Sequence, residues 1–251
     1  MRRKMPKSEV WAHRGASGWD RQYAPENTMP AFQKAKEMGA DGIEIDVHLT
    51  KDGEIVICHD EKIDRTSRAH GYIIDYTLKE LKKIDFGKPH VEYGFVEMPT
   101  LKELFEFLKP TTLKLNIELK TGIIYYEKLE EKAFKLAEEF GLNNRIIYSS
   151  FNHYSLEKLK ATFPEARIGL LMGANKAKIP EYPNIFKAEA LHLPEWMATK
   201  DYIDKCHAQD LRVNVWTIDN PKRMREMIKM GVDAVITNCP DNGRKAVDEI
   251  S

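Results

Sequence analysis

The chain has 251 residues, and its 39 Lys plus Arg residues balance its 39 Asp plus Glu residues. A chain without net charge has no global basic field to hold nucleic acid, so nucleic acid is not an expected partner. No run approaches the roughly 18 apolar residues of a membrane span, so no integral membrane contact is expected. The three Cys residues lie far apart, which is typical of a reducing compartment and predicts a cytoplasmic protein.

Short apolar runs alternate with longer helical patterns along almost the whole chain. The strand candidates are residues 10–13, 43–49, 54–58, 113–120, 145–149, 167–172, 190–193, 212–218 and 234–237. The helix candidates are residues 28–38, 100–108, 125–140, 153–162, 199–208, 221–230 and 241–250. This repeated alternation predicts a parallel sheet that is covered by helices.

Several predicted helix ends carry residues that favour starting or ending a helix. Asn27 and Asn220 precede helices as expected N-caps, and Pro221 stands at a first helical position. Three glycines follow helix ends: Gly39, Gly141 and Gly231. These residues support the predicted helix boundaries.

Nine strand candidates exceed the eight of a barrel, and the third candidate explains the excess. It follows the second after a short link that contains Asp52-Gly53. Such a link is too short for a parallel crossover, and Asp-Gly between strands is typical of a hairpin. Residues 54–58 are therefore predicted to return antiparallel. The eight parallel strands that remain predict a (β/α)8 TIM barrel, with residues 1–251 as a single domain.

The predicted hairpin has a consequence for the barrel mouth. It would bring His59 back beside Asp46, within about one residue of register. The residues after the hairpin, 60–99, are rich in charge and turns and offer little apolar core. We therefore predict a small insertion after strand 2, from about residue 50 to 99, that caps the mouth.

Two strand-like runs each place acidic side chains on one face. In GIEIDVHL these are Glu44 and Asp46, and in LKLNIELK Glu118 shares a face with Lys120. The first run alone equally fits a half-exposed amphipathic strand, but its recurrence favours a site. Three carboxylates that meet at the C-terminal strand ends repel one another unless a hard divalent cation binds between them. Oxygen ligands predict Mg²⁺ or Ca²⁺ rather than Zn²⁺.

Basic residues and two histidines accompany these acids. Arg14 and Lys120 would add positive charge beside the cation, which suits an anionic phosphoryl group. His13 and His59 come from different segments, so one can take a proton from a nucleophile while the other protonates the departing oxygen of a phosphodiester. For each histidine alone, a structural role at a strand end is the alternative.

Several runs of the chain resemble the glycerophosphodiester phosphodiesterase family: HRGASG, APENTMPAF, GADGIEIDVHLTKDGEIVICHD, IELK, SSF, VNVWTID and VITNCPD. The resemblance extends over essentially the whole chain and implies a (β/α)8 barrel with an insertion after strand 2. It implies one divalent cation on Glu44, Asp46 and Glu118, and an acid–base pair of His13 and His59. It also implies phosphate contacts from Arg14 and Lys120 and a glycerol contact from Trp216. Glu26 and Asn27 match the family's Pro-Glu-Asn-Thr turn, with Glu26 as a further site residue.

The resemblance implies metal-dependent hydrolysis of a small glycerophosphodiester substrate to sn-glycerol 3-phosphate and an alcohol, through a cyclic phosphate. One alternative is a lysophospholipase D, which needs an apolar approach to the mouth. Four insertion residues could supply that approach or could form an insertion core: Tyr72, Ile73, Ile74 and Tyr76. Another alternative is a barrel that binds phosphate esters without turnover. His48, His153 and His192 are expected to be structural, and the sequence leaves monomer or homodimer open.

Overall fold

The structure of the protein is a computed structural model that describes residues 7–18, 22–88, 90–173 and 182–250. Within these residues nine strands, β1 to β9, span Glu9–His13, Gly42–Leu49, Ile55–Ile57, Lys114–Leu119, Ile146–Ser150, Ile168–Leu171, Ala190–Pro194, Arg212–Trp216 and Ala234–Thr237. Nine α-helices of the same residues, α1 to α9, span Met29–Glu37, Leu78–Leu81, Leu101–Leu108, Leu129–Glu139, His153–Thr162, Tyr182–Ile185, Lys200–His207, Pro221–Met230 and Pro240–Ile250. The short helices α2 and α6 have no counterpart in the sequence pattern, since four residues are too few to show helical periodicity.

Eight parallel strands close into a barrel. β1 pairs with β2 on one side and with β9 on the other, and the ring continues in the order β9-β8-β7-β6-β5-β4-β2. β3 is antiparallel to β2, with Val47 opposite Ile57, and is not part of the ring. The predicted (β/α)8 barrel with an antiparallel return strand is confirmed.

Side chains on the outer face of the barrel pack against the helices and form the main core. On β2 and β4 these include Ile43, Ile45, Leu115 and Ile117, each at most 1% exposed. Burying one such side chain stabilises the fold by about 1.5–3 kcal/mol relative to leaving it in water. Because strand side chains alternate, the residues between them face the barrel interior.

The barrel interior also contains a small apolar cluster. It consists of Trp11, Ile147, Ala190, Ala234 and Ile236, most of them near the N-terminal ends of their strands. The cluster fills that part of the barrel, which leaves the C-terminal end as the open mouth. This is the end at which barrels of this class carry their sites.

The insertion between β2 and α3 has an apolar core of its own. Seven buried residues form it: Val56, Cys58, Ile63, Ile73, Leu81, Phe86 and Met98. The expectation of little core in residues 60–99 is therefore wrong. These apolar residues are too widely spaced to produce a periodic signal, and only the folding of several turns brings them together.

The cap and glycine residues predicted at helix ends lie where expected except at α1. The Asn220 side chain caps α8, as predicted, and the predicted glycines follow α1, α4 and α8, where each has a positive φ. The prediction that Asn27 caps α1 is wrong, because Thr28 occupies the N-cap position. Asn27 instead has a φ of 55° and donates its side-chain amide to Asp46, at 2.9 Å. The turn before α1 therefore places this amide against the barrel interior.

Candidate active site

Three carboxylates meet at the C-terminal end of β2 and β4. Glu44, Asp46 and Glu118 are buried, and each offers an oxygen within 4.8 Å of the others. The strand register produces this arrangement, because Asp46 lies directly beside Glu118 in the parallel β2–β4 pair. The structure thus brings together the three acids that the sequence pattern places on one face.

The charges around these acids are unbalanced. Lys120 Nζ lies 2.9 Å from Glu118 Oε1 and 3.6 Å from Asp46 Oδ1, and Arg14 Nε lies 3.7 Å from Asp46 Oδ2. Burial opposes ionisation of Asp46, but Lys120 and Arg14 outweigh it and hold its pKa well below the usual value. Burial and the Asp46 charge raise the pKa of Glu118 to about 7 and raise the pKa of Glu44 well above its usual value. Fully ionised, the trio would carry three negative charges beside two cations, and the raised pKa values of Glu44 and Glu118 reflect this repulsion.

The donor set fits a hard divalent cation. Asp46 Oδ1 is buried and accepts no hydrogen bond, although it belongs to a carboxylate that is held ionised. The candidate ligands are all carboxylate oxygens, which Mg²⁺ and Ca²⁺ prefer. An ion at this point would complete the coordination of Asp46 and remove the repulsion that raises the pKa values of Glu44 and Glu118.

His13 is oriented by an amide that is itself oriented by a carboxylate. Its Nδ1 lies 2.8 Å from Asn238 Oδ1, and the Asn238 amide group donates to Asp219 Oδ2 at 2.7 Å. Because a carbonyl oxygen only accepts, Nδ1 carries the proton and Nε2 is left bare, 3.9 Å from Glu44 Oε2. Burial and the Arg14 charge lower the pKa of His13 to about 4, so the ring is neutral at pH 7.

His59 is held from the insertion side. Its Nδ1 lies 2.5 Å from Asp60 Oδ1, and Asp60 in turn accepts a 2.7 Å hydrogen bond from Arg65 Nε. Arg65 also donates two hydrogen bonds to Glu26, at 2.6 and 2.7 Å. The hydrogen bond from His59 and those from Arg65 hold the pKa of Asp60 well below its usual value. Both oxygens of Glu26 are thus engaged, and its role as a substrate contact stays a prediction.

A cavity of about 70 Å³ opens between the two histidines. The residues that line it are His13, Arg14, Glu44, His59, Asn116, Glu118, Phe151, Leu171, His192, Trp216 and Ile236. Its polar side contains the predicted histidines, and its apolar side contains Trp216, whose Nε1 donates to the His192 carbonyl at 3.0 Å. Asp46, Lys120 and Glu26 do not line it but are joined to lining residues by ion pairs.

The floor of the cavity contains polar residues that the sequence did not point to. His192 lines the cavity, is completely buried, and lies between the side-chain amides of Asn116 and Asn214. Gly169 on β6 makes room for it, since a Cβ there would lie 2.4 Å from His192 Nε2. The alternation along one strand does not show which residues face this cavity. That becomes clear only once the strands on the opposite side of the barrel are known. Burial lowers the pKa of His192 to about 3, so the ring is neutral.

Comparison with known proteins identifies the family of the chain. The model of the glycerophosphoryl diester phosphodiesterase family matches residues 13–242. The glycerophosphodiester phosphodiesterase of Caldanaerobacter subterraneus subsp. tengcongensis is 41% identical over 94% of this chain and 96% of its own. That of Bacillus altitudinis is 35% identical over 97% of this chain and 99% of its own. A phosphodiesterase of Oleispira antarctica, solved in complex with its product sn-glycerol 3-phosphate, is 31% identical, with a TM-score of 0.84 over 97% of each chain. The chain therefore belongs to the glycerophosphoryl diester phosphodiesterase family and is a phosphoric diester hydrolase.

Proposed function

We propose that the protein hydrolyses glycerophosphodiesters to sn-glycerol 3-phosphate and an alcohol, with His13 and His59 as its acid–base pair. The observation that carries the proposal is that both histidines line one cavity beside three converging carboxylates, and each is held by its own partner. Binding alone needs no second proton-transfer group, so this arrangement favours catalysis over a phosphate-ester binding role. The product bound to the Oleispira antarctica relative supports the same product here.

In this proposal Glu44, Asp46 and Glu118 would hold one divalent cation, Mg²⁺ or Ca²⁺. When bound, such an ion neutralises a phosphate oxygen and lowers the pKa of a substrate hydroxyl. Arg14 and Lys120 stand beside these ligands and would hold the remaining phosphate charge.

Two steps, each with one proton removed and one proton delivered, account for the reaction. The glycerol 2-hydroxyl attacks phosphorus while one histidine removes its proton. The P–O bond to the alcohol breaks as the other histidine protonates the departing oxygen. Water then opens the resulting cyclic phosphate with the histidines in exchanged roles, which gives sn-glycerol 3-phosphate. Trp216 would support the carbon side of the glycerol, because its ring lines the apolar wall of the cavity.

The test is the release of sn-glycerol 3-phosphate from glycerophosphocholine, with and without EDTA. We expect EDTA to abolish the activity and Mg²⁺ or Ca²⁺ to restore it. His13→Ala should lower kcat by about 10²- to 10⁴-fold, and Glu44→Ala should abolish turnover. His70→Ala is the matched control, because the His70 side chain is 80% exposed and does not line the cavity. Activity that survives EDTA or either site substitution contradicts the proposal.

The cyclic route has its own test. A glycerophosphocholine analogue that carries hydrogen in place of the 2-hydroxyl lacks the internal nucleophile and should bind without being cleaved. Cleavage of this analogue at the rate of the parent compound would rule out the cyclic phosphate and leave direct attack by water.

The second candidate is lysophospholipase D activity, and the aromatic side chains that line the cavity favour it. Phe151 lines the cavity, is 46% exposed, and meets the Trp216 ring edge-on at 5.8 Å. In the insertion, by contrast, Ile73 is buried in the local core and Tyr72 lies under Lys62. Turnover of lysophosphatidylcholine faster than that of glycerophosphocholine would establish the second candidate over the first.

We also propose a cytoplasmic location, as a monomer or homodimer. Cys58, Cys206 and Cys239 are all buried and belong to no disulfide, which suits a reducing compartment. Within the described ranges, every helix is too short or too polar to cross a membrane.

A further inference from the structure

Arg65 joins the insertion to the barrel through two carboxylates. Its guanidinium donates to both oxygens of Glu26, at 2.6 and 2.7 Å, and to both oxygens of Asp60, at 2.7 and 3.2 Å. Asp60 and Arg65 belong to the insertion, whereas Glu26 belongs to the turn before α1 of the barrel. One planar group therefore links these two parts of the protein through side chains.

Each carboxylate continues to a residue of the site. Asp60 Oδ1 lies 2.5 Å from His59 Nδ1, and Glu26 Oε1 accepts a 3.0 Å hydrogen bond from Arg14 Nη1. Arg14 in turn lies 3.7 Å from Asp46. The chain of contacts thus runs without a break from a candidate metal ligand, through Arg14, Glu26, Arg65 and Asp60, to His59.

We propose that Arg65 is a positioning residue, which sets His59 against the cluster of Glu44, Asp46 and Glu118 by holding Asp60 in place. The proposal rests on the catalytic role of His59 proposed above. The Cys58 N–H donates to the Asp46 carbonyl at 3.0 Å and holds the backbone before His59 against β2, so what Asp60 fixes is the orientation of the His59 ring. Arg65 does not line the cavity, so it acts through Asp60 and not on the substrate.

Without Arg65 this geometry should relax. Asp60 and Glu26 would face each other as two carboxylates without the cation between them, and they repel. The Asp60 side chain is 32% exposed and can turn to solvent, which would release the His59 ring. Lysine should not replace arginine, since a single ammonium cannot make the four hydrogen bonds of this fork to two carboxylates.

The alternative is that Arg65 is only a clamp between insertion and barrel. A clamp would affect stability, substrate affinity or metal affinity, but it would not act specifically through His59. Positioning predicts a loss of kcat at nearly unchanged KM and metal affinity. It also predicts that the loss disappears when His59 is already absent.

The experiment compares five variants with the wild type: Arg65→Ala, Arg65→Lys, His59→Ala, the double variant Arg65→Ala/His59→Ala, and Arg68→Ala as the control. Arg68 is an exposed arginine of the same segment. Kinetics with glycerophosphocholine, Mg²⁺ titration calorimetry and thermal unfolding are measured for each. We expect both Arg65 variants to lose about 10- to 100-fold in kcat, as is typical for partners that orient an active group, and Arg68→Ala to lose none. The double variant should be no slower than His59→Ala.

Free guanidinium provides a rescue that a clamp would not show. The Arg65 side chain is 31% exposed, so millimolar guanidinium can reach the space that Arg65→Ala leaves and bind both carboxylates. It should raise kcat of Arg65→Ala but not that of His59→Ala or Arg68→Ala.

The outcomes separate the two proposals. If His59→Ala is inactive while Arg65→Ala retains wild-type kcat, the positioning role is wrong and the proposed function stands. A double variant much slower than His59→Ala, or an Arg65→Lys variant that loses only stability, also refutes positioning. If His59→Ala retains full activity, the proposed function itself fails.

Discussion

In the absence of divalent cations, the free energy of unfolding should fall as pH rises. Part of this fall should depend on Glu118. The cause is the buried acidic cluster. Burial and the Asp46 charge raise the pKa of Glu118 from 4.5 to about 7. Below pH 4.5 the carboxyl is protonated in both folded and unfolded chains. Between 4.5 and 7 the unfolded chain releases the proton while the folded chain keeps it, so stability is lost as pH rises.

The magnitude follows from that interval. A difference between 4.5 and about 7, at about 1.4 kcal/mol per pH unit, corresponds to about 3 kcal/mol of unfolding free energy. Glu44 acts in the same direction, because its pKa is also raised. Buried histidines act in the opposite direction: the pKa of His192 is lowered to about 3, so its contribution grows as pH rises. The total stability therefore mixes both effects, and the informative quantity is a difference between proteins.

The assay is urea denaturation in EDTA at pH 4.5, 5.5, 6.5 and 7.5, for the wild type and Glu118→Gln. Glutamine keeps the shape of the side chain but does not titrate, so the histidine contributions largely cancel. The stability of the wild type relative to the variant should fall by about 3 kcal/mol across this range. A saturating divalent cation should remove the fall, because bound carboxylates are ionised throughout. A difference that stays constant with pH in EDTA would refute the electrostatic account of the cluster.

Two further substitutions test the floor of the cavity and the support of His13. Gly169→Ala should cost about 1–3 kcal/mol of unfolding free energy in urea, because its Cβ would lie 2.4 Å from the His192 ring, whereas Gly173→Ala, with open space around it, should cost little. Equal losses in both would exclude the steric explanation. Asp219→Ala should lower kcat about 10- to 100-fold with little change in KM, because it frees the amide that orients His13. Unchanged kcat would show that the amide is held without the carboxylate.

The acidic cluster could be predicted from the sequence because two simple rules determine it. The two-residue period of a strand sets the face of Glu44, Asp46 and Glu118, and the parallel register of neighbouring strands then sets Asp46 beside Glu118. The hairpin at Asp52-Gly53 is equally local, since its turn residues alone indicate the antiparallel return of β3.

Helix boundaries show where local rules stop. The predicted helices 153–162 and 221–230 match α5 and α8, and the ends of α8 carry the Asn220 cap and Gly231. The helix predicted from residue 125 begins only at Leu129, because Lys128 before it has a left-handed φ of 63°. Lysine has no intrinsic preference for that conformation, so tertiary contacts impose it and the sequence does not reveal it.

The residues that orient the histidines were beyond the reach of such rules for a physical reason. Asn238 contacts His13 across 225 positions of sequence, and Arg65 contacts Glu26 across 39. The role of each consists in a hydrogen bond to another side chain, and no periodicity or turn signal accompanies such a bond. Strand position determines which residues can face a barrel lumen, but hydrogen-bond geometry determines which of them are held in a reactive orientation. The acids and His13 follow from the first rule and His59 follows from the hairpin turn, while Arg65, Asp219 and Asn238 follow only from the second.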